Sequence, residues 1–158
     1  MSVTVEMDFD LKRINFNFSK ELNKVGEIIK RDHYQRLERG EGVDGSQMRG
    51  LKPATIASKS KSKDRRISAN ANKILVGTEQ MRNLVIDKAS KTNQAVVIHP
   101  GEKRRYKGTS VTMSDVGGFH QKGNTNLPKR EWFGISNDAN QRSERLMEER
   151  IEQELRRA

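Results

Sequence analysis

Residues 19–40 read SKELNKVGEIIKRDHYQRLERG. Leu22, Val25, Ile29, His33 and Leu37 recur there at three- and four-residue steps. That is the period of a helix with one apolar stripe. Ser19 offers an N-cap oxygen for a helix over about Lys20–Arg39, and Gly40 and Gly42 end it. A helix apolar on one side needs a second layer to cover it, which the rest of the chain must supply.

Upstream, Val3, Val5 and Met7 alternate with polar residues as in a short half-buried strand. Downstream, Glu41 to Lys73 turns to Gly, Ser, Lys and Asn, including the run Ser58-Lys59-Ser60-Lys61-Ser62-Lys63. Such composition reads as a long mobile loop, with one short helical turn at Pro53–Ala57. Ile74-Leu75-Val76 resumes regular structure, and Thr78 caps a short helix to Leu84. Leu84–Lys88 and Ala95–Ile98 read as two strands joined at Ser90-Lys91-Thr92-Asn93, with Pro100-Gly101 closing the second. Glu102 to Thr112 is a second basic loop, and Pro128 to Ile135 is extended. Ser136 or Asn137 then caps a last helix to about Arg156, with Met147, Ile151 and Leu155 as its apolar stripe and Leu146 on the flank. In that helix Arg145–Glu149, Arg150–Glu154 and Glu152–Arg156 are pairs worth about 0.2–0.5 kcal/mol each. The class is therefore α+β: a small antiparallel or mixed sheet packed against an N-terminal and a C-terminal helix. One domain spans residues 1–158, with mobile loops at about 41–73 and 101–115.

Only 32% of the residues are hydrophobic and 5% aromatic, against 33% charged. A domain of this length normally buries roughly 70% of its unfolded surface, and this supply of apolar residues is thin for that. Neighbours are expected to complete it. The net charge of +10 favours an acidic partner. It is concentrated in two places: residues 49–73 carry eight Lys or Arg against Asp64 alone, and Lys103, Arg104, Arg105 and Lys107 face only Glu102. These loops read either as flexible solvated segments or as contacts for DNA or an acidic protein, with Lys59, Lys61, Lys63, Arg65, Arg66, Lys103, Arg104 and Arg105 as the candidate contact residues. Tyr106 is the lone aromatic residue among them, so phosphate-backbone contact is favoured over base stacking. The absence of cysteine excludes disulfides and thiolate metal sites. Met1–Asp10 is acidic and unlike a signal peptide, and no run approaches the roughly 18 apolar residues that span a bilayer. A soluble product made in the cytoplasm, without membrane contact, is expected.

Catalysis has little to rest on. His33, His99 and His120 sit in unrelated segments without metal-ligand spacing, and no phosphate loop or nucleophile elbow is present. The carboxylates of the last helix alternate with arginines as on a solvated face. A non-enzymatic protein without cofactor or metal is expected. The most informative stretch is Phe119-His120-Gln121-Lys122-Gly123 followed by Leu127-Pro128-Lys129-Arg130-Glu131-Trp132-Phe133-Gly134-Ile135-Ser136. Adjacent rings in an extended strand point to opposite faces, so one of Trp132 and Phe133 can enter the core while the other meets a second surface or stays exposed; the alternative is that both rings pack under the final helix. His120, Gln121, Arg130, Trp132 and Phe133 are the candidate interface residues.

Here the chain resembles the phage virion morphogenesis family of tail-completion proteins, with its Mu-like and P-two-like members. The family's His-Gln-x-Gly element is similar to His120, Gln121 and Gly123, and its Pro-x-Arg-x-Phe-x-Gly element to Pro128, Arg130, Phe133 and Gly134, followed by Ile135, Ser136 and a terminal helix. Asp44-Gly45-Ser46 with Leu51 and Thr55 resembles an Asp-Gly-Thr-x-Trp-x-x-Leu stretch, and Ile74-Leu75 with Thr78-Glu79-Gln80-Met81 a Leu-x-x-Thr-Gly-x-Leu stretch. The ordered set spans about Val25 to Leu155. Met48 stands where the family usually has Trp, and Glu79 where it usually has Gly. The resemblance implies an α+β subunit of a homo-oligomeric ring, with a hexamer favoured, acting in the virion neck between the head–tail connector and the tail tube. It implies no catalysis and no cofactor. The expected partners are the connector and tail-tube proteins, with non-specific contact to channel DNA. The rivals are a basic nucleic-acid-binding module and a capsid-assembly factor absent from the mature particle.

Overall fold

A computed structural model describes residues 16–76, 81–100 and 110–157. Its elements are α1 (Ser19–Arg39), α2 (Pro53–Ser60), α3 (Arg65–Ala69), β1 (Leu84–Asp87), β2 (Val97–Pro100), α4 (Met113–Lys122) and α5 (Asn137–Leu155). The fold is α+β, with a two-stranded antiparallel sheet among the described residues. The strand expected at Val3–Met7, the helix cap at Thr78 and the basic cluster around Arg104 lie outside the described residues.

Ser19 is the first residue of α1 and does not cap it: Phe18 holds the cap position without a side-chain cap bond, and Asn17 Oδ1 just upstream accepts from the Ser19 N–H at 3.2 Å. At the other end Gly40 takes the left-handed conformation, φ 71°, and its N–H closes the last turn on Leu37 O. The buried face holds Ile29, His33 and Leu37 as the spacing predicts, but also Asp32 and Arg36, which pair at 2.8 Å. α1 packs along α5 and touches both strands.

In the sheet, Val85 stands opposite His99, Ile86 opposite Ile98 and Asp87 opposite Val97. Side chains alternate along a strand, so Leu84, Ile86 and Ile98 share the inner face, while Val85 and Val97 share the outer one. The Asn23 carboxamide of α1 holds the chain leaving β1 by a pair of bonds to the Ala89 backbone, at 2.8 and 3.0 Å. The turn is the expected one, closed by Ser90 N–H to Asn93 O at 2.8 Å.

The core is Leu37, Val76, Met81, Leu84 and Trp132, with Met48, Leu75, Ile98, Val116 and Phe133 packed around it. Met48 is thus one of the partly buried apolar residues that close the core.

Four expectations are corrected. The stretch 41–73 is no structureless loop: it holds α2 and α3, because Pro53 starts one helix and the Asp64 carboxylate, accepting from Arg66 N–H at 2.9 Å, caps the other. The second loop ends earlier than residue 115, since α4 begins at Met113. Its start is a capping box in which Thr112 and Asp115 each bond the other's backbone N–H. On α5 the phase differs from the apolar spacing. Ala139, Ser143 and Glu154 are buried, whereas Ile151 and Leu155 are 45% and 43% exposed. Glu154, 2% exposed, draws that side inward because it pairs with Arg150 and Arg157, so the acidic residues of α5 are not all on a solvated face. Finally, Trp132 and Phe133 do not diverge. Their centroids lie 5.5 Å apart and both rings pack on the core, because the chain bends at Phe133–Gly134 instead of running on as a strand.

Candidate functional site

The stretch from Thr112 to Ser136 folds back on itself, and one side chain organises the return. Gln121, in the last turn of α4, accepts at Oε1 from the N–H groups of Trp132 and Phe133, at 3.0 and 3.1 Å. Its Nε2 donates to the Phe133 carbonyl at 3.0 Å. A carboxamide is the one neutral group that offers a donor and an acceptor at this spacing. The Trp132 indole N–H donates to Gly117 O at 2.9 Å, and a Cβ at Gly117 would sit 2.5 Å from the indole. Gly123, at φ 70°, ends α4 so closely over Lys129 that a Cβ would come within 2.7 Å of the Lys129 nitrogen. Beyond, Ser136 Oγ accepts from Ala139 N–H at 3.1 Å and starts α5.

The Asp44-Gly45-Ser46 turn docks on the same segment. Asp44 Oδ1 accepts from the Ser46 N–H and hydroxyl at 3.0 and 2.7 Å, which also holds its carboxyl below the usual range. Val43 N–H then reaches Glu131 O at 2.8 Å. From α1, Arg36 donates to Gly134 O at 3.1 Å and to Trp132 O at 3.5 Å. His33 packs against both rings, with centroids at 5.5 and 6.4 Å, and its Nε2 donates to Met81 O at 2.8 Å. Burial, and then the charge of Arg36, push the His33 pKa down, so the ring is neutral near pH 7.

His120, Gln121, Arg130, Trp132 and Phe133 are thus brought together, but their contacts run inward. Trp132 is 2% exposed and Phe133 half-buried, so neither ring offers the free aromatic surface expected of an interface anchor. Arg130 is 5% exposed; its Nε donates to Arg49 O at 3.2 Å and Nη1 to His120 Nδ1 at 3.3 Å. A guanidinium only donates, so His120 Nδ1 is the accepting nitrogen and its Nε2 carries the proton. Burial and the nearby Arg130 charge push the His120 pKa down as well.

Among the basic candidates, Lys61, Lys63, Arg65 and Arg66 are exposed around the α2–α3 corner. Arg66 pairs with Asp64 at 2.8 Å. Lys59 is turned inward: its ammonium donates to Asn70 O at 2.7 Å and Lys73 O at 2.8 Å, and burial lowers its pKa. Lys103, Arg104 and Arg105 lie outside the described residues.

A recess of about 390 Å³ opens beside this network, lined by Arg49, Lys52, Thr55, His120, Asn124 and Arg130 among others. The sequence reading missed Arg49 and Lys52, which stand well apart from Arg130 in the chain. Among the described residues no cluster of three or more His, Asp or Glu is arranged to hold a metal ion, and no helix is long and apolar enough to cross a membrane. Comparison with models of known families, with curated proteins and with solved structures gave no match.

Proposed function

We propose that this chain is a structural, non-enzymatic subunit of a tailed-phage particle: a tail-completion protein that closes a ring, six copies favoured, between the head–tail connector and the tail tube. The observation that carries the reading is the large apolar side chains the subunit leaves uncovered. Val85 and Val97 lie diagonally on the outer sheet face, Phe119 projects from α4, and Ile151 and Leu155 follow one another along α5. A chain with so few apolar residues that still places these outside gains by burying them against copies of itself, and contacts between unlike faces that close give rings. The resemblance supplies the rest of the reading, since Gln121, Gly123, Arg130 and Phe133 belong to one hydrogen-bonded and packed network, on which the Asp44 turn docks through Val43 N–H to Glu131 O.

Light scattering and native mass spectrometry of the purified protein test the ring; a monomer at all concentrations, with and without tail-tube protein, overturns it. Deleting the gene from its phage should leave filled heads and finished tails that fail to join. Normal particle yield would contradict the role, and absence of the protein from purified virions would identify an assembly factor instead.

A second reading, a nucleic-acid-binding module, is favoured by Lys61, Lys63, Arg65 and Arg66 exposed around one corner with Asp64 as the nearby acid. Submicromolar, salt-steep DNA binding by a monomer would establish it.

A further inference from the structure

We propose that the recess between the start of α2 and the 124–130 segment is a binding site for a phosphate-class oxyanion, with Arg130 as its floor and Arg49 and Lys52 at its rim. Arg130 is a buried cation whose guanidinium has two partners among the described residues, the Arg49 carbonyl and His120 Nδ1. These bonds leave from Nε and Nη1; among the described residues it forms no ion pair, and Nη2, which is not one of the buried unpaired atoms, opens onto the recess. A cation taken out of water without a counter-charge is unfavourable, and an anion supplied from outside removes that penalty. The side chains around the recess reinforce the demand. Arg49, Lys52 and His120 line it together with Thr55 and Asn124, and among the described residues no Asp or Glu lines it. Burial and the neighbouring charge of Arg49 already depress the Arg130 pKa, the mark of positive charge without compensation. The first turn of α2 also reaches the rim, and no side chain caps it.

Phosphate fits these donors better than carboxylate does. A carboxylate is recognised by two parallel N–H groups of one guanidinium. In Arg130 the Nε–H is engaged by Arg49 O, which closes the side-on fork, and a carboxylate has only the Nη1/Nη2 end, where Nη1 already serves His120. A tetrahedral oxyanion instead collects single bonds from several directions, here Arg130 Nη2, Arg49, Lys52 and the Thr55 hydroxyl. The volume of about 390 Å³ exceeds a bare phosphate, so the ion could arrive free or as part of a nucleic-acid backbone. The inference needs no ring and stands or falls apart from the function proposed above.

Thermal unfolding of the full chain in sodium phosphate against sodium chloride at equal ionic strength tests it, with 31P NMR of inorganic phosphate as a direct readout of binding. The expected result is a phosphate-dependent rise in Tm and broadening of the phosphate resonance. Both should weaken by at least about tenfold in apparent affinity in the Arg49→Gln/Lys52→Gln variant. Both residues are exposed and the Arg49 carbonyl that holds Arg130 is retained, so the variant keeps its fold; an unchanged circular dichroism spectrum checks this. A labelled DNA duplex distinguishes the sources. If phosphate competes with the duplex and the variant loses both, the backbone is the ligand; if the variant loses phosphate but binds duplex as before, the ion is a free one. A Tm rise from phosphate no larger than from chloride overturns the proposal, and so does a rise produced by glutamate or an acidic peptide but not by phosphate.

Discussion

Gln121 grips the backbone of Phe133 on both sides, accepting from its N–H at 3.1 Å and donating to its carbonyl at 3.0 Å. The same carboxamide oxygen takes the Trp132 N–H, so three bonds fix the return of the chain over α4. Gln121→Met keeps the length and removes every one of them. Urea denaturation should show a loss of roughly 2–4 kcal/mol, since half-buried backbone groups are left without partners. A loss below about 0.5 kcal/mol would mean that water replaces the side chain at no cost.

Gly117 and Gly118 are adjacent in α4 and make opposite predictions. A Cβ at Gly117 meets the Trp132 ring at 2.5 Å, whereas one at Gly118 meets nothing within 4 Å. Gly117→Ala should cost about 1–3 kcal/mol and shift the tryptophan emission to the red as the ring is displaced. Gly118→Ala should stabilise by roughly 0.4–1 kcal/mol through the lower entropy of the unfolded chain. Equal effects at the two sites would refute the packing described.

His33 and His120 both have pKa values held below 6.5, chiefly by burial. The unfolded chain therefore binds more protons than the folded one as pH falls through about 6.5. Stability should be full above that value and decline from about pH 6.5 toward the lowered folded pKa values. Titration of the imidazole resonances by NMR checks the sign directly; either ring titrating at or above 6.5 would contradict it.

Arg36 joins Asp32 on α1 to the carbonyls of Trp132 and Gly134. Removing one partner of a buried ion pair costs about 3–5 kcal/mol, because the other is left uncompensated. Arg36→Met should fall in that range. Arg36→Met combined with Asp32→Leu should cost clearly less than the two singles added together. Additive losses would show that the pair is not coupled.

Ile151→Lys with Leu155→Lys alters only side chains that the subunit leaves exposed. Monomer stability should change by no more than about 0.5 kcal/mol while assembly, followed by light scattering, is lost. Assembly unaffected by the pair would remove this stripe from the proposed ring contact.

The two long helices and the hairpin were legible because their signals are local: apolar period, a capping serine or glycine, and a polar turn between two short β-branched runs. α4 was missed because Gly117 and Gly118 weaken its helix propensity, although Thr112-x-x-Asp115 is a capping-box spacing in plain view. The phase of α5 was misread because an ion pair, Arg150 with Glu154, took the inner side in place of Ile151 and Leu155. The divergence of Trp132 and Phe133 failed on a bend that only the packed chain reveals. The basic recess was illegible for another reason: Arg49 and Arg130 are 81 residues apart and meet through a backbone carbonyl, which leaves no pattern in the side chains.

The inward turn of Lys59 also has a chemical corollary. Its amine is engaged by two carbonyls while Lys61 and Lys63 stand in solvent. An acylating reagent should therefore modify the second and third lysines of that serine-spaced run and spare the first. The ratio of labels along a single peptide becomes a gauge of whether the corner between α2 and α3 is shut.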